Sequence, residues 1–213
     1  MDVIYCAGGG KVLAQIAIEE GFLYGARSDD IRPEPRCNGL IDIKWDDYDW
    51  VQHLNAIQFH RPKYSVVPDI TSLRELGRIL RLATRTEPFC QRVIVVPKID
   101  SIVRFIPRKY LIGVSVPTSY AGFLPETKEL VGREIHLLGG SPRQQRELWI
   151  YFKKMKIKVN SVDVNTHNKV SNFGNYWNGS KWIFEGRYKI DKYQAFRKSC
   201  QGILKMWKEL GAF

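Results

Sequence analysis

No stretch of this 213-residue chain is apolar for the length that a membrane-crossing helix needs, and no basic segment leading into an apolar core opens it. A cytoplasmic protein without a membrane role is therefore expected. Cysteine is scarce, and Cys6, Cys37, Cys90 and Cys200 lie far apart with no close pair. Neither a zinc spacing nor a disulfide framework is written there, so reduced, mostly buried thiols are expected. Low-complexity tracts and Gly- or Pro-rich linkers are also missing, which leaves one compact domain over 1–213. Acidic residues are in deficit, 22 against 33 Lys and Arg, for a formal charge of +11. Such a balance suits an anionic polymer as partner, although the same excess also reads as a solvated basic surface.

What the chain does contain is alternation. Val3 to Cys6 is a short apolar run leading into Gly8-Gly9-Gly10, after which Val12, Ile16 and Ile18 keep a helical spacing from Lys11 to Glu20. These glycines lack the Lys-Ser/Thr of a P-loop and the spacing of a dinucleotide site, which favours a tight turn over a phosphate cradle. Phe22 to Ala26 predicts a second strand, followed by a polar loop over 27–38, and Ile41 to Lys44 a third. Trp45 to His60 predicts a helix opened by Asp46, Asp47 and Asp49, as the helix dipole prefers. His53 and His60 share a face of it but have no third ligand nearby, so packing or solvent roles are expected rather than metal.

Tyr64 to Pro68 reads as a fourth strand ending at Asp69. Thr71 is then the expected N-cap of a helix bearing Glu75 in its first turn and Leu73, Leu76, Ile79, Leu80 and Leu82. Arg92 to Pro97, Tyr110 to Val116, Ile135 to Leu138 and Val159 to Val164 supply four more strands, the first apolar without a break, as burial on both faces requires. Between the last two, Ser141 and Pro142 mark a helix start, and Leu148, Ile150, Tyr151 and Met155 are the expected apolar face. Tyr193 to Leu210 closes the chain as an amphipathic helix ended by Gly211. About eight strands alternating with helices, and no antiparallel hairpin signal, predict an α/β fold, a compact (β/α)8 barrel. A doubly wound open sheet would show the same periodicity.

In such a barrel the groups at the carboxyl ends of strands carry the chemistry, so Asp163 and Asp69 are the candidate site residues. Each also reads as a helix cap. Asn168 to Trp182 is rich in asparagine, glycine and aromatics (Phe173, Tyr176, Trp177, Trp182), with no helical or strand period. With Lys169 it suits contacts to bases and phosphates, or an aromatic lid; 167–186 is the expected loop over the barrel mouth and 187–213 the helical closure. The basic excess concentrates at Lys153, Lys154, Lys156 and Lys158 and along the last helix.

His136-Leu137-Leu138-Gly139-Gly140-Ser141-Pro142 resembles the strand-seven motif of the tRNA-guanine transglycosylases, and Ser161-Val162-Asp163 follows one helix later, where that family keeps its nucleophilic aspartate. Val66-Val67-Pro68-Asp69 is similar to the strand carrying its general acid/base, and Ile112-Gly113-Val114-Ser115 to the strand whose backbone reads the guanine edge. Short phage relatives, which place 7-deazaguanines into DNA, are more similar still, sharing Gly21 to Arg27 and Asp163 with Asn165, Asn168 and Lys169. The resemblance spans nearly the whole chain. It implies Asp163 and Asp69 as catalytic residues, and Gly113, Val114, Leu138, Gly139, Gly140 and Lys98 around the base. It further implies Asn165, Asn168 and Lys169 against the nucleic acid, to which the basic stripe adds Lys153, Lys154 and Lys156, and host cytoplasm as the compartment if the chain is viral.

Two departures from that family shape the expectation. Its Cys-x-Cys-x2-Cys and His zinc site is absent, since only Cys200 follows Asp163, so no metal or cofactor is expected and the polymer shifts from tRNA towards DNA. Its base-reading glutamine would fall near Pro97-Lys98, with Lys98 or Asp100 as substitutes. The implied reaction exchanges guanine for a free 7-deazaguanine base through a covalent aspartyl-sugar intermediate, with Asp163 ionised and Asp69, the more buried, holding a raised pKa. Hydrolysis at the same site, exchange on tRNA, a non-catalytic nucleic-acid-binding barrel and a phosphate-binding barrel using Gly8 to Gly10 are the alternatives.

Overall fold

Short apolar strands that are buried on both faces need a covering layer on each side, and here eight of them find the inner layer in one another. The computed structural model describes residues 1–6, 10–30, 32–33, 35–44, 47–118 and 123–213. β1 (Asp2–Cys6), β2 (Leu23–Arg27), β3 (Leu40–Asp42), β4 (Tyr64–Val66), β5 (Arg92–Val95), β6 (Leu111–Ser115), β7 (Glu134–Leu138) and β8 (Lys158–Val164) pair in chain order, all parallel. Asp2 pairs with Ser161 and Ile4 with Asp163, which joins β8 to β1 and closes the ring. The (β/α)8 barrel is thus the observed fold, and the open sheet is excluded.

Outside the ring lie α1 (Lys11–Glu19), α2 (Trp50–His60), α3 (Leu73–Thr86), α4 (Thr127–Leu130), α5 (Pro142–Lys154), α6 (Thr166–Ser171) and α7 (Lys192–Glu209). Among the described residues no helix joins β2 to β3, and a 3-10 turn at Val103–Phe105 stands between β5 and β6. Strand alternation then divides the core in two. Ile4, Leu40, Tyr64, Val66, Ile94 and Leu111 fill the inside of the ring, whereas Tyr5, Ile41, Phe152 and Trp207 pack between strands and helices. Gly113 faces inward where the ring leaves no room, since a Cβ there would stand 2.7 Å from Val96 Cγ2 and 2.9 Å from Ile94 Cγ2.

The amino end of the barrel is closed by ion pairs. Asp2 bonds Lys63 at 2.6 Å and accepts the Tyr64 hydroxyl. Glu134 meets Lys158 at 2.7 Å and also Arg92. Hydrogen bonds from Lys158 first, and then from Arg92, hold the Glu134 carboxyl down to about 2.

Several local expectations are corrected. α2 begins at Trp50, because Asp49 Oδ1 accepts the amides of Val51 and Gln52 at 2.8 and 3.0 Å and so fixes the start. Asp47 precedes that cap, while Trp45, Asp46, Gly8 and Gly9 lie outside the described residues. Ser72 is the residue before α3; Thr71 instead donates its amide and hydroxyl to Glu75. On α5 the buried face is Pro142, Gln145, Trp149 and Phe152, which leaves Tyr151 and Met155 exposed. On α1 it is Leu13, not Val12, that faces the core. His53 and His60 are both buried packing residues, and all four cysteines are free thiols, Cys90 being the one only half-buried.

The largest correction falls on 168–182, which is not an irregular loop. Its first residues belong to α6, and β9 (Asn175–Trp177) and β10 (Trp182–Phe184) form an antiparallel hairpin with Trp177 opposite Trp182. The two indoles meet edge to face at 5.4 Å, a cross-strand pair that stabilises three-residue strands too short to show a period. Trp177 is buried against α7, where its amide donates to Ser199 Oγ at 3.1 Å. Gly202 permits this approach, since a Cβ there would overlap the Trp177 carbonyl oxygen.

Gly202→Ala tests that docking. Within a helix the change ordinarily stabilises by about 1 kcal/mol; here a loss of about 2 kcal/mol is expected from the overlap, with faster hydrogen exchange over 175–184. A variant that melts higher than the wild type, with unchanged exchange, contradicts the close contact.

Candidate functional site

The inward or outward phase of each strand decides which polar groups reach the barrel mouth. On β7 and β8 the register slips: Ile135 pairs with Val159, but His136 pairs with Ser161, so Asn160 is an extra residue. This bulge reverses the phase of β8 and turns Ser161 and Asp163 inward. His136, also inward, spans both of them. Its Nδ1 lies 2.7 Å from Ser161 Oγ and its Nε2 3.2 Å from Asp163 Oδ1. The Gly139 amide donates to the same Oδ1 at 3.0 Å. Among the described residues no hydrogen bond falls on Oδ2, so one oxygen is anchored and the other is left to the mouth.

The turn after β7 is built to deliver that amide. Gly139 and Gly140 take φ of 63° and 81°, in the left-handed region, and a Cβ on Gly140 would stand 2.5 Å from Val116 Cγ1. Ser141 and Gln144 close a capping box at the start of α5. Fully buried Gln145 reaches back from the first turn, donating to Gly139 O at 2.7 Å and to Asp163 O at 2.6 Å. Thr166 Oγ1 donates to Gly140 O at 3.0 Å. The carboxyl ends of β7 and β8 are therefore held together independently of the Asp163 side chain.

A polar cavity of about 370 Å³ opens there, lined by Cys6, Arg27, Asp30, Asp42, Asp163, Asn165, Asn168 and Lys169. Its walls come from the ends of β8, β1, β2 and β3 and from α6. Asp163 is only 7% exposed. Arg27 is held in place by a bidentate pair with Asp29, both bonds 2.9 Å. Asp42, the last residue of β3, has its pKa raised to about 7, first by burial and then by the negative charge of Asp163. Burial, followed by the charges of Asp163 and Asp42, also keeps the Cys6 thiol protonated. The sequence reading missed Asp42 because it stands inside the run Ile41 to Lys44, where a polar residue reads as strand alternation.

Asp69 stands across the mouth, past the end of β4. Burial raises its pKa and Lys98 opposes the rise, its Nζ lying 3.6 Å from Asp69 Oδ2 and 2.5 Å from Ser115 Oγ. Asp69 is less buried than Asp163, the reverse of the expectation. Gly113 and Val114 are wholly inside the packed β6, while Leu138 borders the inner core at the end of β7. Asn165, Asn168 and Lys169 are brought to Asp163 as expected. Lys153, Lys154 and Lys156 are not: α5 runs back from the mouth, so its last turn lies at the amino end of the barrel, in a groove with Trp149, Lys158 and Gly211. Among the described residues no three His, Cys, Asp or Glu side chains gather as metal ligands would, and no helix is long and apolar enough to cross a membrane.

The raised pKa of Asp42 carries a sign for stability. The folded chain holds a proton that the unfolded chain releases above about pH 4, so this group's contribution is complete below that pH and is lost as the pH rises through about 7. Asp42→Asn is expected to stabilise the fold by about 2 kcal/mol near pH 8, after allowance for solvent in the open cavity, and to change little near pH 4. Carbon-13 titration of labelled aspartate should find a midpoint near 7 that drops in Asp163→Asn. An Asp42 midpoint in the ordinary carboxylate range removes the electrostatic pairing.

No curated protein matches the chain. The family description DUF6610, a family of unknown function, matches residues 17–208, nearly the whole barrel from α1 to α7. The chain belongs to that family.

Proposed function

We propose that this barrel is a nucleic-acid guanine transglycosylase, exchanging guanine in DNA for a free 7-deazaguanine base. The observation that carries the reading is the pair of inward carboxylates in one polar cavity: Asp163, with Oδ1 anchored and Oδ2 unengaged, and Asp42, whose carboxyl titrates near neutrality. One can attack while the other gives or takes a proton, and the two environments set those roles apart.

In the forward half-reaction Asp163 Oδ2 bonds to C1′ of the target nucleotide as the C1′–N bond breaks. The bonding pair leaves with the purine, which takes the proton of Asp42. In the second half the incoming base returns a proton to Asp42 and its ring nitrogen displaces Asp163 from C1′. No oxidant or reductant is consumed, and one hard displacement becomes two easier ones. Asp42 is favoured over Asp69 as proton carrier because it lines the cavity with Asp163, whereas Asp69 is engaged by Lys98. Asp69, Lys98 and Ser115 then face the base edge, offering an acceptor beside a donor.

A cavity of this size holds one nucleotide, so the target must be unstacked before it can react. Asn165, Asn168 and Lys169 line its rim, exposed Phe173 follows α6, and exposed Tyr188, after β10, carries the Arg187 guanidinium over its ring. These suit stacking and phosphate contacts next to the reacting sugar. The lysines at the amino end have no part in this path.

Guanine-containing DNA, and tRNA separately, would be incubated with a 7-deazaguanine base, digested to nucleosides and read by mass spectrometry. Deazaguanosine formation is expected with the wild type, total loss with Asp163→Ala, and a fall of about 100-fold to 10,000-fold with Asp42→Asn. Guanine release without uptake of the new base would make the protein a hydrolase, and no reaction on either polymer would remove the catalytic reading altogether.

A further inference from the structure

We propose that the outward face of α3 is a phosphate-binding rail that holds the backbone of a nucleic acid strand as it leaves the barrel mouth. The inference rests on the nucleic-acid partner of the proposed function but not on its chemistry. Arg74, Arg78, Arg81 and Arg85 are spaced by four, three and four residues, which at about 100° per residue sets all four within an arc of about 60°. All four are exposed. They cover about 16 Å of helix, the rise of about five nucleotides in one strand of B-form DNA.

Among the described residues only Arg78 of this row meets an anion. Arg78 bonds Glu75 and the Tyr48 hydroxyl, whereas no hydrogen bond or ion pair joins Arg74, Arg81 or Arg85 to another described residue. Glu75 is the only acid in α3, and it is already engaged by Thr71. On one side, α2 contains no acidic residue. On the other, the segment replacing a helix between β5 and β6 exposes Arg104 and Arg108. Exposed Gly77 and Thr84 lie along one side of the row. Four guanidinium forks in line, three of them without a partner among the described residues, match successive phosphates better than a single compact anion.

The position of the rail gives it a use. α3 follows β4 and Asp69, so Arg74 lies at the mouth and Arg85 towards the amino end. A strand whose nucleotide enters the cavity can therefore continue down this flank. The lysines of α5 are as basic, yet their last turn starts from the wrong end of the barrel.

Binding would be followed by fluorescence anisotropy on full-length Asp163→Ala protein, using fluorescein-labelled single-stranded DNA of about 20 nucleotides across a salt series. Arg74→Gln, Arg81→Gln and Arg85→Gln combined leave Arg78 and its partners intact, and thermal melting checks the fold. The triple variant is expected to bind about 10-fold to 100-fold more weakly, with the slope of log K against log salt reduced by about 2. Lys153→Gln, Lys154→Gln and Lys156→Gln combined should change affinity less than about 3-fold.

Equal affinity and slope in the triple arginine variant would overturn the rail. So would wild-type protein that ignores DNA and instead binds phosphatidylserine vesicles through these arginines. Base exchange that persists at wild-type rate without the arginines would also remove the rail while leaving the catalytic reading standing. Arginine-dependent binding without any base exchange does the reverse.

Discussion

The arrangement at the mouth depends on the direction in which β8 points its side chains. Strand side chains alternate with a period of two, so one added residue sends every later side chain to the other face. With Asn160 passed over, Ser161 and Asp163 point inward and Val162 and Val164 outward into the helical layer, where both are fully buried. Without it, a valine would face the cavity and a carboxylate would face an apolar layer with no partner. The bulge is therefore coupled to the core, because the same slip that aims Asp163 also buries two valines. Its location at β7/β8 puts the change of phase just before the strand end where polar groups gather.

Once Asp163 is inside, electrostatics follow from how many acids share a small space. Asp42, Asp163 and Asp30 line one cavity whose cations are Arg27 and Lys169, and Arg27 is already matched by Asp29. Two nearby carboxylates do not both ionise freely when water is partly excluded, and here the rise falls on Asp42. Asp163 has the amide of Gly139 and His136 on one oxygen, whereas among the described residues the Asp42 carboxyl accepts the amide of Ile43 alone, at 2.8 Å, and burial and then the charge of Asp163 raise its pKa to about 7. The division arises from backbone geometry at two strand ends. It needs no additional cation, which leaves Lys98 free to neutralise Asp69 across the mouth.

The parts legible in the sequence were those with local grammar. Strand, glycine turn, Ser141 cap and Pro142 announced the seventh crossover, and the strand after it ended at Asp163, so the anchor of the site could be named from order alone. The parts that were not legible depend on contacts distant in the chain. Asp42 ends a three-residue strand, and only closure of the ring shows that it faces Asp163. The hairpin at 175–184 has strands too short for a period, and its cause is burial of Trp177 against α7. Asn160 carries no mark of a bulge, since the slip is a property of the pairing with β7. The arginines of α3 stand at helical spacing in the sequence, but whether each meets an anion depends on neighbouring elements that only the fold brings beside them.

Charge on this barrel is also distributed by topology. Every crossover helix runs from the mouth back to the amino end, so a basic residue late in a helix belongs to the opposite pole from the strand end that precedes it. Lys153 and Lys154 are close to Gly139 in sequence and at the far end in space. At that amino end cations meet anions: Lys63 with Asp2, and Arg92 and Lys158 with Glu134. Such pairing closes the ring. The row on α3 differs because it begins at the mouth and has one acid among four arginines. A net charge of +11 therefore says little by itself. What distinguishes the row on α3 is its start at the mouth together with three arginines that meet no anion among the described residues.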